Sequence, residues 1–452
     1  MGSFIRETSL SKAGQLSDGL QMNRHNLSTF GIEKTREELA QESSPWFVNF
    51  QDPFELYRVQ PSYIWCQVAF IIGALFSLIH ACKRGGRWPY LLLGALCHGL
   101  VVELITYYVP SIDNFWHSKT PIDFFGHRLP LYIICLYPVY YYQANYAVSK
   151  LHLKCRWSEH MAAGLLVVLI DFPYDIVSVK FVHWTWHDTD PNIADRHYWV
   201  PWNSYYFHAT FAFAFSFLFH NVRKWIDRRP LERWQAGTVK AELAAVLAVA
   251  FLSFPGGALL FIPLYHPFHD FFNVPTEVTC VTLLFVFLTV LWKFDRKSNR
   301  RLPEKLDVTG RALMFHLILH YAAFFAMVVF LNPEDVVAAG LHENVGDCQA
   351  KTPVHTVLKT LEKRTFLCVD DYDEKYFDFH CLDKPPKDGA YWYTICGTPF
   401  ENRAEYVLVL SLISFVAFMV FRTIHIDYDV RFDIYDLVRK PKKTRSEGKK
   451  NK

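Results

Sequence analysis

Residues 241–265 read AELAAVLAVAFLSFPGGALLFIPLY, in which Glu242 is the one charged side chain. A helix needs roughly 20 mostly apolar residues to cross a bilayer core of about 30 Å, so this stretch predicts a membrane-spanning helix. The composition agrees, because 51% of the 452 residues are hydrophobic and only 20% are charged. Soluble domains have about 25% charged residues. We therefore expect an integral membrane protein.

Eight further stretches have similar length and apolar character, which makes nine predicted spans. They run from Tyr63 to Ala81, Tyr90 to Val109, Leu129 to Val148, Met161 to Val179, Tyr205 to Val222, Ala241 to Tyr265, Val274 to Trp292, Ala312 to Leu331 and Ala404 to Arg422. The predicted fold class is an all-α integral membrane protein of about nine transmembrane helices. We also expect one large lumenal loop with disulfides and a short cytosolic β-strand after the last helix.

The charge of the loops predicts the side of the membrane that each one occupies. Loop 293–311 has seven basic and three acidic residues, and loop 223–240 has six and two. Positive residues concentrate in cytosolic loops, so every second loop is predicted to be cytosolic. Loop 332–403 and the N-terminus are then predicted to be lumenal. The acidic run at residues 370–374 in that loop agrees with this assignment.

Loop 332–403 contains four cysteines, Cys348, Cys368, Cys381 and Cys396. An even set of cysteines in a translocated loop predicts two disulfides in an oxidising compartment. Three pairings are possible, and four unpaired thiols are the alternative. The spacing alone does not choose between the pairings.

Both ends of the chain carry short signals. Asn26, followed by Leu27 and Ser28, is a glycosylation acceptor if the N-terminus is lumenal. The terminal Lys449-Lys450-Asn451-Lys452 is similar to a dilysine retrieval signal of the endoplasmic reticulum, and a solvated basic tail is the alternative. We expect a multi-pass protein of that membrane with a lumenal N-terminus and a cytosolic C-terminus.

These assignments divide the chain into five parts. They are a lumenal N-terminal tail (1–60), an eight-helix transmembrane core (61–331), a lumenal cysteine-containing loop (332–403), a ninth transmembrane helix (404–422) and a cytosolic strand with a basic tail (423–452).

Three carboxylates lie inside predicted spans, at similar depth in the lumenal half. Glu103 is in the second span, and Asp171 and Asp175 share one face of the fourth because they are four residues apart. Such groups repel one another unless one is protonated or a cation is shared, as acid–base catalysis or ion binding requires. Hydrogen bonding between helices is the structural alternative. If the protein is an enzyme, these three are the predicted catalytic residues.

Further polar and aromatic residues fall at the lumenal ends of the spans, where they predict a polar cavity that accommodates lipid. They are His98, Asn114, Trp116, His117, Arg128, Trp184, Trp186, His187 and Asp188. An aromatic belt at the membrane surface is the alternative. No His-Glu-x-x-His motif accompanies them, so we predict no metal and no cofactor. His316 and His320, in the eighth span, are expected to hydrogen-bond a neighbouring helix.

Two blocks within residues 90–210 resemble the microbial carotenoid-biosynthesis membrane proteins that include carotenoid hydratases. The first is Glu103 onward with Arg128-Leu129-Pro130-Leu131-Tyr132 and Tyr137-Pro138. The second is Leu169-Ile170-Asp171-Phe172-Pro173-Tyr174-Asp175, then His183-Trp184-Thr185-Trp186 and Val200-Pro201-Trp202-Asn203-Ser204-Tyr205. The resemblance implies water addition to an isoprenoid double bond, with Glu103, Asp171 and Asp175 as acid and base. Trp199 stands where that family has glycine.

Residues 424–434 alternate apolar and polar side chains at every step, which predicts a strand. The apolar face comprises Ile424, Ile426, Tyr428, Val430, Phe432 and Ile434. An isolated strand is not stable in water, so we expect this one to pair with the sheet edge of a partner protein or a second copy. An interfacial strand or a short helix on the headgroups is the alternative.

Two functions remain in view. The first, slightly favoured by the strand, is a lipid-handling subunit that binds membrane lipids and docks a cytosolic sheet-containing partner. The alternative is an integral-membrane enzyme, similar to a hydratase, that modifies a lipid or isoprenoid. A net charge of +3 argues against nucleic acid as a partner.

Overall fold

The computed structural model describes residues 33–42, 46–151, 153, 155–295 and 306–425, and most of these are helical. The α-helices are α1 (Arg36–Gln41), α2 (Pro53–Val59), α3 (Pro61–Arg84), α4 (Trp88–Tyr108), α5 (Leu131–Tyr137), α6 (Gln143–Leu151), α7 (Arg156–Lys180), α8 (Trp202–Ile226), α9 (Val239–His266), α10 (Thr276–Asp295), α11 (Val308–Phe330) and α12 (Arg403–His425). One-turn π-helices follow α5 (Pro138–Tyr142) and α9 (Pro267–Phe271).

The strands are short and lie between the long helices. They are β1 (Val48–Phe50), β2 (Phe115–His117), β3 (Ile122–Phe124), β4 (Leu129–Pro130), β5 (Trp184–Trp186), β6 (Arg196–His197), β7 (Val200–Pro201), β8 (Val337–Leu341), β9 (Lys351–His355), β10 (Thr360–Arg364), β11 (Phe377–Asp378) and β12 (Trp392–Gly397).

Seven helices within the described residues are long and apolar enough to cross a membrane. They are Pro61–Arg84, Trp88–Tyr108, Arg156–Lys180, Val239–Phe271, Thr276–Phe294, Val308–Phe330 and Arg403–His425. Each coincides with a predicted span, and the protein is therefore a multi-pass membrane protein.

The third and fifth predicted spans are helical but are not among these seven. The third begins with β4 and is divided by the π-helix at Pro138, where proline has no N–H to continue the α-helical pattern. The fifth is α8, a single helix of 25 residues with polar Asn203, Ser204 and His208 in its first two turns. These polar side chains lower the hydropathy of α8, and they lie at the site described below.

Four segments that are distant in sequence pack together at one end of the helical bundle. The strand β2 pairs with β5, and β8 pairs with β12 in antiparallel register. A backbone bridge joins Ser118 to Gly340, and another joins Lys34 to Trp392. A Cβ at Gly340 would press on the backbone of Ser118 and Lys119, so the close approach requires glycine there. These are the loops for which one common side was predicted.

The strands β2, β5, β8 and β12 and the loops around them are called the extramembrane layer below. The cysteine-containing loop is a folded part of this layer. Disulfides join Cys348 to Cys368 and Cys381 to Cys396, which selects one of the three pairings that the sequence left open. The N-terminal tail is also partly folded, because α1, β1 and α2 lie within the 60 residues assigned to it.

The prediction that a strand begins at Ile424 is wrong for that residue, because α12 continues to His425. Ile424 is buried, and the His425 ring stacks on Tyr146 of α6 with a centroid separation of 5.5 Å. This packing stabilises the last turn of α12 as a helix, although the alternation of apolar and polar residues from Ile424 onward favours a strand. The other predicted strand positions, Ile426, Tyr428, Val430, Phe432 and Ile434, lie outside the described residues, as does Asn26.

Candidate functional site: an apolar cavity with paired carboxyl groups

A cavity of about 210 Å³ lies between the helices, directly beneath the β2–β5 pair. Glu103 of α4 and Asp175 of α7 reach it from two different helices, and His208 of α8 also lines it. The rest of the wall is mainly aromatic and aliphatic. The cavity therefore presents ionisable groups to an apolar compartment.

Asp171 and Asp175 are both fully buried, and each receives one hydroxyl hydrogen bond. The hydroxyl of Tyr140 donates to Oδ1 of Asp171 at 2.8 Å, and that of Ser204 donates to Oδ2 of Asp175 at 2.7 Å. Oδ2 of Asp171 and Oδ1 of Asp175 have no hydrogen-bond partner among the described residues. Two adjacent carboxylates without a balancing cation repel, so a proton shared by the pair relieves the repulsion.

His208 completes this group from the neighbouring helix. Its Nε2 lies 3.5 Å from Oδ1 of Asp171, and one ligand-type atom from each of Asp171, Asp175 and His208 lies within 4.8 Å of the others. Ser204 and His208 are four residues apart on α8, as Asp171 and Asp175 are on α7. Two facing i, i+4 pairs therefore form the cluster.

Helix α11 hydrogen-bonds to α7 at carbonyl groups that lie beside Pro173. Proline lacks the N–H that would bond to the carbonyl of Leu169, four residues earlier. The hydroxyl of Tyr321 donates to that carbonyl at 2.6 Å, and Nε2 of His320 lies 2.9 Å from the carbonyl of Ile170. The expected hydrogen bond of His320 to another helix is thus confirmed. His316 likewise reaches α3, with Nε2 3.1 Å from the carbonyl of Ala69.

The predicted cavity residues divide into two groups. Asn114, His117, Trp184 and Trp186 line the same cavity as Glu103 and Asp175. His98 is buried beside it, with Nε2 3.1 Å from the hydroxyl of Tyr141.

Trp116, Arg128, His187 and Asp188 lie farther out, in the extramembrane layer. Arg128 pairs with Asp113, and its guanidinium lies 5.6 Å from the centre of the Trp116 ring. Trp116 and His187 face a separate cavity of about 690 Å³. The nine residues that the sequence assigned to one cavity therefore belong to two separate parts of the structure.

Asp188 belongs to a buried cluster with His187 and Glu343. Burial, reinforced by the carboxylate of Glu343, raises the pKa of Asp188 to about 8. Burial also raises the pKa of Glu343 to about 8, and it lowers the pKa of His187 to about 4. The layer therefore contains two carboxyl groups whose charges are poorly compensated by their neighbours.

Sequence reasoning gave no site role to four residues that the geometry brings into these sites, Tyr140, Ser204, His208 and Glu343, although Ser204 lies in the second of the two blocks above. The i, i+4 spacing of Ser204 and His208 at the start of α8 was a usable signal. Glu343 carried no such signal, because it reaches His187 only through the pairing of distant strands.

In the part of the chain that the structure describes, three groups of side chains have the ligand spacing of a metal site: Asp171 with Asp175 and His208, His187 with Asp188 and Glu343, and Asp378 with His380 and Cys396. The last is unsuitable because Cys396 is in a disulfide. The first two offer one imidazole and two carboxylates each, a set that suits divalent cations.

No curated protein and no solved structure matches this chain. A family model described as a domain of unknown function (DUF7802) matches residues 33–426, which include every span and both cavities. The chain therefore belongs to the DUF7802 family.

Proposed function

We propose that this protein is an integral-membrane enzyme that adds water to, or removes it from, a carbon–carbon double bond of an isoprenoid-like lipid. The observation that carries the proposal is that Glu103 and Asp175 face one apolar cavity, with Asp171 beside Asp175 to share its proton. Such a reaction needs an acid and a base in one cavity, and here two different helices supply them.

The size and lining of the cavity favour an apolar substrate of which only one end enters it. Its volume of about 210 Å³ is below the roughly 300–1,000 Å³ of pockets that enclose a whole drug-sized ligand. Aromatic walls and the membrane location favour the end of a hydrocarbon chain. Trp184 and Trp186 would also stabilise a developing carbocation through their ring faces.

The proposed reaction is a proton-balanced addition. Protonated Asp175 transfers its proton to one carbon of the double bond, which leaves a positive charge on the other carbon. Water bonds to that carbon and gives up a proton to Glu103. A proton then returns from Glu103 to Asp175 through the surrounding groups, and the net change is one water added.

The position at which the chain departs from the carotenoid hydratase pattern has an unusual backbone conformation. Trp199, which replaces the glycine of that family, has φ 67°, a left-handed conformation that glycine adopts most readily. Tryptophan in place of glycine at this position is therefore compatible with the proposed resemblance.

Heavy water tests the proposal. Membranes that contain the protein are incubated with their own lipids in deuterium oxide, and the apolar lipids are analysed for deuterium bound to carbon. Asp175→Asn and Glu103→Gln should each reduce the labelling by about 10²–10⁴-fold, the usual contribution of a positioned acid or base. Glu277→Gln, at an exposed position of α10, is the matched control and should label normally. Equal labelling in all variants would contradict the proposal.

The proposed topology has nine passages in the membrane of the endoplasmic reticulum, with a lumenal N-terminus. Two disulfides in loop 332–403 support an oxidising compartment for the layer that contains them. Treatment with an endoglycosidase should shift the mobility of the wild-type chain and leave Asn26→Gln unchanged. Cleavage of this loop by protease in sealed microsomes would refute the orientation.

Lipid handling with a cytosolic partner is a second candidate, favoured by one further feature. An apolar groove of about 340 Å³ lies between α11 and α12, with Ser411 and Ser414 as polar exceptions in a wall that includes Phe325 and Phe418. Its position suits an acyl chain. Deletion of residues 426–438, which spares the packed end of α12, should abolish co-purification of a partner if this function is correct, and it should leave the heavy-water labelling intact if the enzyme proposal is correct.

A further inference from the structure

The extramembrane layer contains a compact group of potential metal ligands that is separate from the proposed catalytic cavity. His187 and Asp188 follow β5 directly, and Glu343 comes two residues after β8. Their exposed fractions are 3%, 3% and 4%. One ligand-type atom of each lies within 4.8 Å of the others. We infer that His187, Asp188 and Glu343 bind a divalent transition-metal cation.

Unpartnered carboxylate oxygens provide the second observation. Oδ1 and Oδ2 of Asp188 and Oε1 of Glu343 are buried and accept no hydrogen bond from any described residue, although Oδ1 of Asp188 lies 3.5 Å from Nδ1 of His187. Oε1 of Glu343 lies 2.7 Å from Nε2 of His187, but the alignment is not that of a hydrogen bond. Buried polar atoms normally have partners, and a cation bound between these side chains would satisfy all three oxygens.

Nearby cationic side chains do not fill this role, because each already pairs with another acid. These pairs are Arg364 with Asp371, Lys363 with Asp190, and Arg196 with Glu374. Arg364 also lies 3.7 Å from Oδ2 of Asp188, beyond hydrogen-bond distance. The carboxyl oxygens of the cluster are therefore left for an added cation, which would displace the protons that they hold.

The ligand set defines the class of ion. One imidazole and two carboxylates, with no thiolate, suit Zn²⁺, Mn²⁺ or Fe²⁺, and water can complete the coordination. His187 and Glu343 line the outer cavity of about 690 Å³, which gives an ion a route to the site. The ion would connect the end of β5 to the end of β8. It would thereby stabilise the layer that covers the inner cavity, the one of about 210 Å³ that contains Glu103 and Asp175.

Metal analysis of the full-length protein tests the inference. The protein is purified in detergent through a tag without histidine, treated with chelator, and titrated with Zn²⁺ and with Mn²⁺ separately. We expect one tightly bound ion per chain and a rise in the unfolding temperature. Asp188→Asn and Glu343→Gln should lose both effects. Glu362→Gln is the control, because that side chain is 66% exposed in the same layer and should keep them.

X-ray absorption of the wild-type metal complex keeps the inference testable if the variants fail to fold. A first shell of nitrogen and oxygen would support the site, and sulfur in the shell would overturn it. Failure of wild type to bind either ion, or unchanged binding in both variants, would also overturn it and leave His187 and Glu343 as an ordinary ion pair. None of these outcomes depends on the proposed enzymatic function.

Discussion

The hydroxyl of Tyr137 donates a 2.7 Å hydrogen bond to Oε1 of Glu103. The two residues belong to different segments, α5 and α4, and both line the inner cavity. A Cβ at Gly99, one turn before Glu103, would overlap the ring of Tyr137, so glycine lets the ring lie flat against α4. The position of the proposed base therefore depends on a tyrosine from another helix.

Tyr137→Phe should lower the heavy-water labelling by about 10- to 100-fold. A hydrogen bond to a charged group contributes about 1.5–3 kcal/mol, and each 1.4 kcal/mol corresponds to a factor of ten. Tyr142→Phe is a suitable control, because Tyr142 bonds to His80 outside the cavity. Equal labelling per folded molecule in the two variants would exclude a positioning role for Tyr137.

Two adjacent glycines of α9 test the packing beside the inner cavity. A Cβ at Gly257 would overlap the ring of Phe211, whereas a Cβ at Gly256 would lie 3.1 Å from Cβ of Ala214. Phe211 lines the cavity and cannot retreat without disturbing it. Gly257→Ala should therefore destabilise the protein by about 1–3 kcal/mol.

Gly256→Ala should be close to neutral, because relief of the helix penalty of glycine, up to about 1 kcal/mol, offsets a slightly tight contact. Thermal unfolding in detergent, followed by tryptophan fluorescence, measures both changes. Equal destabilisation by the two substitutions would show that the ring of Phe211 does not limit this packing.

At the opposite end of the bundle, a buried ion pair joins α4 to α9. Nε of Arg87 lies 2.9 Å from Glu242, and both side chains are 0% exposed. Nη2 of Arg87 also donates to the carbonyl of Phe219 at 2.7 Å. Arg87→Met should cost about 3–5 kcal/mol, because it leaves a buried charge without its partner.

Arg229 provides the comparison, because its side chain is 57% exposed in its pair with Asp227. Arg229→Met should have a much smaller effect on stability, because an exposed ion pair contributes little. Denaturant unfolding of the two variants under identical conditions gives the difference. A cost for Arg87→Met as small as that for Arg229→Met would contradict the role assigned to the buried pair.

Much of the fold could be predicted from local sequence. Long apolar runs identified the seven spanning helices, and the i, i+4 spacing placed Asp171 and Asp175 on one face. The even cysteine count gave two disulfides, although their pairing needed the three-dimensional contacts. Loop charge grouped the segments that the structure packs at one end of the bundle.

The rest depends on contacts between distant residues. Tyr140 and Ser204 reach the aspartates from other helices, and no spacing in the sequence records that approach. Glu343 meets His187 only because β2 pairs with β5 and a bridge at Gly340 brings β8 beside them. The expected strand at Ile424 failed at its first residue because packing against α6 outweighed the local pattern.

The pairing of the disulfides and the contribution of one of them to stability can both be measured. Peptide mapping without reduction should recover Cys348 with Cys368 and Cys381 with Cys396, and any crossed pair would contradict the structure. Replacing Cys381 and Cys396 together by serine should destabilise the protein by about 2–5 kcal/mol. Cys82→Ser, at an exposed free cysteine, should have little effect on unfolding.

Acid should destabilise the layer through His183, which follows α7 and lies outside the spanning segment. This ring is fully buried, its Nε2 lies 3.0 Å from Oγ of Ser62, and it stacks on Tyr63. Burial lowers the pKa of His183 from 6.5 to about 3. Above pH 6.5 the ring is neutral in both the folded and the unfolded chain, so its contribution to stability is complete there.

As the pH falls below 6.5, the unfolded chain binds a proton that the folded chain does not, and this favours unfolding. The loss from this group approaches about 1.4 kcal/mol per pH unit and continues towards pH 3. His183→Gln keeps a hydrogen-bonding group near Ser62 but cannot titrate, so its stability should fall less steeply between pH 6.5 and pH 4. His355→Gln, at an exposed histidine, should retain the wild-type slope. If His183→Gln follows wild type throughout this range, other groups cause the acid sensitivity and the buried neutral state of His183 is not its source.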